Sequence, residues 1–362
     1  MLIKNRILPI TLLLLCLTII TVSCKKKKEE EVTPDTNALT GEVLTDFSYK
    51  VALATYTDLN AKATLLNSKV IDFNASSSQS DLDAAKQLWK DSRAAWEQSE
   101  AFLFGPVATQ DIDPGIDDWP VNKADFDSLL VSNVHFTAGY LDSAQTTLKG
   151  FHPLEYLLFG ANGNKLASDV TPKEKEYMLG LADYLKRMTD KIIKSWNPSE
   201  PANYLTQVVN AGQAGSVYAT KRAAFEEMIN AMIGICDEVA NRKIQEPLVA
   251  QDPTLEESQF SQNSIADFTN NMRSVQNVYF GNYIENGKGL NEWVNASNIS
   301  LDNKVQQKMS AAINSFNLIT LPFGQAILSQ QTQLHSVQQS INELKDVLEN
   351  ELLPFVQQTI TD

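Results

Sequence analysis

The chain has 362 residues, of which 30 are Lys or Arg and 44 are Asp or Glu, giving a formal net charge of −14. Such an acidic chain is a poor partner for nucleic acid and is compatible with cation binding. Hydrophobic residues make up 43% of the chain, which is enough to build a substantial core. Cys236 is the one cysteine outside the N-terminal region, so no disulfide is expected within the folded body.

The N-terminus has the pattern of a secretory signal that ends in a lipid-attachment cysteine. Lys4 and Arg6 precede a short apolar run, and Ser23 and Cys24 follow it. These features define a signal peptide rather than a membrane-spanning helix. We therefore predict a lipoprotein signal at residues 1–23, acylation of Cys24, and attachment to a membrane of the bacterial cell envelope, facing either the periplasm or the exterior. Ordinary cleavage that leaves Cys24 free is the alternative.

The segment after the cleavage site is predicted to be a flexible tether at residues 24–40. It contains a run of lysines, a run of glutamates and Pro34, and a composition of this kind does not bury apolar surface. Because Lys4 and Arg6 leave with the signal, the net charge of the mature chain becomes 28 − 44 = −16.

Apolar residues recur at three- and four-residue spacing through most of the remaining chain, which predicts an all-α fold. The predicted helices are 45–70, 80–104, 172–196, 211–244, 257–280, 301–319 and 331–356. Long amphipathic helices separated by Pro and Gly breakers pack as bundles. We place a boundary at Asn197–Pro201, which gives a first helical-bundle half at 41–197 and a second at 198–362.

The most informative motif is Gly150-Phe151-His152-Pro153-Leu154-Glu155, which places an imidazole one helical turn from a carboxylate. This pairing can hold a transition metal, so His152 and Glu155 are the candidate metal ligands. The alternative is a helix start in which His152 is the N-cap residue and Glu155 completes a capping box. Histidine is not a preferred N-cap residue, whereas Thr171 in the similar segment Thr171-Pro172-Lys173-Glu174 is.

The chain has only three histidines, and neither His135 nor His335 lies in a recognisable motif. A metal site would therefore depend on carboxylates, which suits iron better than a zinc site built from three histidines. A zinc peptidase also needs about three protein ligands, an open position for water and a general base. One His-x-x-Glu pair supplies two ligands at most.

A second group of polar residues lies on the predicted helix 80–104. Trp89, Arg93, Trp96 and Glu100 are spaced by four, three and four residues and therefore share one face. Burial of Arg93 and Glu100 requires that they be paired. Two interpretations stay open: a structural pair in an amphipathic helix, or the wall of a polar cavity near His152.

Two later segments allow similar alternatives. The segment 111–120 carries four aspartates without the spacing of an EF-hand, and we interpret it as a structured loop. Ser258, Ser261 and Ser264 recur every three residues ahead of Asp267. These serines either cap a helix start or form the wall of a site.

These segments, in this order, resemble the imelysin family, and the resemblance extends from about residue 41 to the C-terminus. It rests on the Trp89–Pro106 segment, Ile116–Pro120, the complete Gly-x-His-x-x-Glu pattern at 150–155 and the 257–267 segment. The resemblance implies two related helical-bundle halves with a site between them. It implies His152 and Glu155 as the metal pair. The implied site lining is Trp89, Arg93, Glu100, Asp117, Trp119, Glu257, Ser258, Ser261 and Asp267.

Members of this family are described as iron-regulated envelope proteins linked to iron uptake, and some are called insulin-cleaving metallopeptidases. We therefore expect a lipoprotein that binds iron, or haem with His152 as axial ligand, and delivers it to transporter components. The alternative is a metallopeptidase that acts on peptides at the same site, with Glu155 or Glu100 as base. A third alternative is an interaction scaffold without a ligand. No nucleic-acid partner is expected.

Overall fold

The computed structural model describes residues 36–360, so the predicted signal, Cys24 and most of the predicted tether lie outside the described residues. Within that range the secondary structure is helical and contains no β-strand, which confirms the all-α prediction. The helices are α1 (Thr36–Asp46), α2 (Ala54–Ser76), α3 (Gln79–Glu97), α4 (Pro106–Thr109), α5 (Ile112–Asp117), α6 (Lys123–Leu130), α7 (Ala138–Ser143), α8 (Phe151–Phe159), α9 (Pro172–Trp196), α10 (Tyr204–Val209), α11 (Lys221–Glu238), α12 (Gln245–Ala250), α13 (Ser264–Phe280), α14 (Leu290–Ser297), α15 (Ile299–Ser315), α16 (Phe323–Ser329), α17 (Gln331–Val347) and α18 (Leu353–Thr359).

Local sequence signals fix some helix ends accurately. Helix α9 has the predicted bounds because Thr171 caps it: the Glu174 amide donates to the Thr171 hydroxyl, and the Thr171 amide donates to the Glu174 carboxylate. The predicted capping role of His152 is wrong. The N-cap residue of α8 is Gly150, which places His152 inside the first helical turn. Glu155 therefore does not form a capping box with His152.

Other predicted helices differ in extent. Helix α3 ends at Glu97, and Glu100 belongs to a separate 3₁₀ turn, Glu100–Phe102. Helix α13 begins at Ser264, so the segment 257–263 is a loop, and α11 begins at Lys221 rather than near 211. The segment 111–120, interpreted as a loop, contains the short helix α5. Apolar spacing alone predicted these regions too broadly because loops over a buried surface also carry apolar residues.

Within residues 36–360, three π-helical segments interrupt what the sequence predicts as continuous helices: Phe47–Leu53, Val239–Lys243 and Leu348–Leu352. Such segments add a residue to one helical turn and often occur at functional sites. The segment Val239–Lys243 continues directly from α11 and ends in Lys243, a buried basic residue.

The site lies where helices from distant parts of the chain meet. Helix α2 packs against α3 and α9, and α3 also packs against α8 and α13. Helix α11 packs against α13, α17 and the 3₁₀ turn that follows α3. The polar face of α3 thereby meets two elements from later in the chain, α8 and α13. The division into two bundle halves at 197–198 stays a prediction.

Between residues 36 and 360, no single helix is long and apolar enough to cross a membrane. One bent pair, Ile299–Leu318 with Phe323–Ser329, meets the length and composition requirement jointly.

Candidate functional site

Arg93 lies at the centre of a buried cluster of carboxylates. It projects from α3 with a fully buried side chain and forms ion pairs with Glu97 on the same helix and with Asp117 of α5. Its Nη2 lies 3.0 Å from Oε1 of Glu257, and its Nε lies 3.8 Å from Oδ1 of Asp267. A buried arginine requires such partners, because an unpaired charge in the interior is costly.

His152 joins this cluster to the Gly-x-His-x-x-Glu helix. Its Nε2 lies 3.1 Å from Oδ1 of Asp117, and its Nδ1 lies 3.2 Å from Oε2 of Glu155. Burial by itself would lower the pKa of His152, but the hydrogen bonds to Asp117 and Glu155 outweigh it and raise this pKa to about 9. At neutral pH the ring is therefore protonated and donates from both nitrogens.

Glu155 is held from its other side by the serine segment. Both the backbone N–H and the hydroxyl of Ser261 donate to Oε1 of Glu155, each at 2.7 Å. The structure thus brings Ser261 to the His152 helix across 106 positions of sequence. In the same loop the Ser258 amide donates to the Ser264 hydroxyl, which in turn donates to Glu256. Ser264 therefore serves the loop and the start of α13, whereas the buried Ser258 side chain lies beside Asp267 of the cluster.

Asp117 is the carboxylate that links the different parts of the site. Its Oδ1 faces Arg93 and His152, while its Oδ2 accepts a hydrogen bond of 2.7 Å from the Trp96 indole. Although burial would raise the pKa of Asp117, Arg93 and His152 hold it well below its usual range. Asp117 is therefore ionised at any physiological pH.

Gly150 makes the approach of Asp117 to His152 possible. Its φ is +88°, and a Cβ atom at this position would lie 2.2 Å from the carbonyl oxygen of Ile116, the residue before Asp117. Only glycine adopts this backbone conformation without strain and also leaves room for a neighbouring backbone. The first residue of the motif is therefore required by tertiary packing.

A cavity of about 380 Å³ opens beside this cluster. Acidic side chains dominate its polar lining, with Lys243 as the basic one, and Trp119 and Phe104 are among its apolar walls. A second cavity of about 220 Å³ shares Asp118, Trp119, Glu238 and Lys243 with the first. The acidic lining residues of the first cavity are Glu100, Asp113, Asp117, Asp118 and Glu238.

The carboxyl groups around the cavity repel one another and are poorly solvated. Burial raises the pKa of Glu100 well above its usual value, and burial raises the pKa of Asp113 to about 7. Deeper in the cluster, burial raises the pKa of Asp267 to about 6, against the attraction of Arg93. The site thus holds more carboxyl groups than its basic side chains can pair, and burial favours the protonated form of Glu100 and Asp113.

Among the described residues, two sets of three side chains bring potential metal-ligand atoms within 4.8 Å of one another: Asp117, His152 and Glu257, and Glu97, Glu100 and Asp117. The first set is fully buried, and Arg93 contacts both of its carboxylates. In the second set Glu100 lines the cavity, and its carboxylate forms neither an ion pair nor a hydrogen bond with any residue from 36 to 360.

The remaining predicted residues take supporting positions. Trp89 lies deeper in the core, where its indole donates to the Phe151 carbonyl at 3.0 Å and its ring packs against Phe159, so it supports α8 without reaching the cavity. Trp119 is half-buried at the cavity wall, with its ring 6.1 Å from that of His152. Glu257 and Asp267 contact Arg93 as described.

Sequence reasoning missed several residues of the site, above all Glu97 and Lys243. Glu97 had a usable signal, since it follows Arg93 by four residues on the same helical face. Lys243 had no such signal in the sequence. In the structure its Nζ lies 3.0 Å from Oε1 of Glu257 and 5.1 Å from the centre of the Trp119 ring. Trp96 was noted on the helix face but not as a site residue.

The fold and site define an all-helical protein with a buried histidine–arginine–carboxylate network beside an acidic cavity. The family model of Imelysin (peptidase M75) matches residues 52–350. The chain belongs to the imelysin family, as its sequence motifs predicted.

Similar proteins extend this result. The chain is 26% identical over 324 residues to iron-regulated protein A of Synechococcus elongatus, covering 88% of this chain and 87% of that protein. A crystal structure described as a candidate iron-regulated protein A precursor from Parabacteroides distasonis matches with a TM-score of 0.81 and 26% identity. The match covers 92% of this chain and 97% of that chain. An imelysin-like protein from Psychrobacter arcticum has the same fold, with a TM-score of 0.71 and 14% identity. That match covers 88% of this chain and 96% of that chain.

Proposed function

We propose that this protein is a cell-envelope lipoprotein that binds an iron ion as cargo in the acidic cavity and passes it on for uptake. The observation that carries the proposal is the Glu100 carboxyl group, which lines the cavity, has no ion pair or hydrogen bond within residues 36–360, and has oxygen atoms of Glu97 and Asp117 within 4.8 Å. Carboxylate oxygens are suitable ligands for iron and similar hard cations. The relative named iron-regulated protein A supports an iron-related role.

The charge balance of the cluster supports a cationic ligand. Its basic groups are Arg93, Lys243 and His152. Its carboxylates are Glu97, Glu100, Asp113, Asp117, Glu155, Glu238, Glu257 and Asp267. Within residues 36–360, Oε2 of Glu257 and Oδ2 of Asp267 also find no hydrogen-bond partner although both are buried. Burial raises the pKa values of Glu97, Glu100 and Asp113, and a multivalent cation would replace the protons that these carboxyl groups retain.

In this proposal His152 and Glu155 are positioning residues rather than ligands of the ion. His152 holds Asp117, and Glu155 holds His152. A metal-binding imidazole must offer a lone pair, whereas both ring nitrogens of His152 face carboxylates. The same contacts favour an ion over haem, because an axial histidine needs one ring nitrogen directed into an open space. Direct ligation by His152 would require that Asp117 move away from Nε2.

The peptidase alternative has the family model's own name in its favour. A catalytic zinc needs an open coordination position and a base that can reach its water. Glu155, one candidate base, accepts two hydrogen bonds from Ser261 and one from His152. Glu100 is the better placed candidate, since it lines the cavity. The arrangement therefore supports cation binding more directly than peptide hydrolysis.

The test is a calorimetric titration of the purified protein with Fe²⁺ under anaerobic conditions, with Mn²⁺ as a redox-stable probe and with haem. We expect saturable ion binding by the wild type and at least about tenfold weaker binding by Glu100→Gln. Glu285→Gln, which makes the same substitution at an exposed position, should bind like the wild type. Absence of ion binding, or an unaffected Glu100→Gln, would overturn the proposal.

The membrane location has its own test. Cys24 lies outside the described residues, and its acylation is proposed from the signal sequence. Mass spectrometry of the mature N-terminus should find lipid on Cys24, and an unmodified cysteine would overturn the anchor without affecting the binding site. Chelator-sensitive peptide cleavage that is lost in Glu100→Gln would favour the peptidase alternative.

A further inference from the structure

Lys243 occupies an unusual position for a lysine. It ends the π-helical segment Val239–Lys243, and its side chain is 1% exposed. Its Nζ lies 3.0 Å from Oε1 of Glu257, 3.8 Å from Oε2 of Glu97 and 3.9 Å from Oε1 of Glu238. The ammonium group thus contacts one carboxyl group from each of the two sets of potential metal ligands, Glu257 from the first and Glu97 from the second.

Lys243 and Arg93 share two of these carboxyl groups but differ in their access to the cavities. Arg93 contacts Glu97 and Glu257 as well, but it is fully enclosed and does not line either cavity. Lys243 lines both cavities. A lysine stem has four flexible carbons, whereas the guanidinium of arginine is held by several donors at once. Of the two basic side chains, Lys243 is therefore the one that can move away from Glu97 and Glu257.

A second position for the ammonium group is present at the edge of the site. Glu238, one of its partners, is 35% exposed and lines both cavities. Glu246 lines the second cavity only. Rotation of the Lys243 stem toward these carboxylates would keep its charge paired while releasing Glu97 and Glu257. Trp119, whose ring lies 5.1 Å from Nζ, forms the wall along this route.

We propose that Lys243 is a tethered counter-ion that a cargo cation displaces. In the ion-free protein its ammonium group neutralises the Glu97 and Glu257 carboxylates. On binding, the multivalent ion takes over the Glu97 carboxyl group together with those of Glu100 and Asp117, and Lys243 moves toward Glu238 at the cavity edge. This exchange keeps the site folded when no ion is bound. It also means that an ion must bind more strongly than the Lys243 ammonium group, which a weakly bound monovalent ion does not. This inference rests on the proposed cation-binding function.

The first experiment uses the wild-type protein and amine-reactive labelling read by mass spectrometry, with and without saturating Mn²⁺. Lys243 should be protected without the ion and should label several-fold faster with it. Lys149, which is also buried but contacts the Asp142 carbonyl and the Tyr184 ring instead, is the internal control and should not change. Binding of Mn²⁺ with unchanged or slower labelling of Lys243 would overturn the inference while leaving the proposed function intact.

The second experiment measures affinity in variants. Lys243→Met removes the competing charge and should bind Mn²⁺ about tenfold more tightly than the wild type. Lys345→Met, which removes a lysine that is ion-paired with Asp237 away from the cavities, is the matched control and should change affinity little. In Lys243→Ala, added butylammonium should refill the space and weaken Mn²⁺ binding again.

The outcomes separate the two proposals. Absence of binding by the wild type overturns the proposed function, and the inference with it, even if Lys243→Met binds the ion. Equal or weaker binding by Lys243→Met overturns the inference alone. If neither protein binds a cation, the proposed function fails, and the inference fails with it. Should the variants not fold, the labelling result on the wild type decides.

Discussion

Replacement of Gly150 by alanine should destabilise the protein strongly, because this residue combines a glycine-only conformation with a close backbone contact. Its φ of +88° lies in the region that L-residues avoid, and occupying such a region costs roughly 1–3 kcal/mol. An added Cβ would lie 2.2 Å from the Ile116 oxygen and 2.5 Å from its carbonyl carbon. Backbone atoms cannot rotate away, and forced shifts of this kind cost roughly 1–3 kcal/mol more.

We therefore expect Gly150→Ala to lower the free energy of unfolding by about 4 kcal/mol, within a range of roughly 2–6 kcal/mol from the two costs combined. The assay is urea denaturation followed by far-ultraviolet circular dichroism. Any folded fraction should bind Mn²⁺ weakly, because the shift of Ile116 moves Asp117 away from His152.

The matched control is Gly234→Ala. Gly234 lies inside α11, and no atom would come within 4 Å of its added Cβ. This variant should be more stable than the wild type by up to about 1 kcal/mol, since alanine favours the helix interior. A Gly150→Ala protein within about 1 kcal/mol of the wild type would refute the reasoning, because it would mean that neither the positive φ nor the Ile116 contact is costly.

Three further predictions concern single groups. Trp96→Phe should lose about 2 kcal/mol of unfolding free energy with the indole hydrogen bond to Asp117, whereas Trp196→Phe should lose less in the same denaturation assay, because its buried indole nitrogen has no partner among residues 36–360. Burial raises the pKa of Glu256 to about 8, so the folded state keeps a proton that the unfolded chain releases near its ordinary value. The free energy of unfolding should therefore fall as pH rises from about 4.5 to about 8. In Glu256→Gln it should fall less over the same pH range, and an equal fall in the two proteins would contradict this prediction. Since burial raises the pKa of Asp113 to about 7, Mn²⁺ affinity should increase from pH 6 to pH 8, and calorimetry on Asp113→Asn should show a smaller increase.

Where the chain encodes structure locally, sequence analysis predicted it well. Apolar spacing indicated an all-helical protein, and the capping residues Thr171 and Glu174 fixed the start of α9. The Gly-x-His-x-x-Glu pattern placed His152 and Glu155 on one turn of a buried helix, where they are in contact. These features depend on residues three or four positions apart, so a linear sequence is sufficient to predict them.

Only the tertiary structure decided what these groups meet. Contact between Glu155 and Ser261 joins residues 106 positions apart, and the need for glycine at 150 arises from Ile116, which belongs to another helix. Lys243 reaches Glu97 and Glu257 because a π-helical segment and the packing of α11 bring it there. The physical reason is that hydrophobic periodicity determines which face of a helix is buried, whereas its partner depends on how all the helices pack at once.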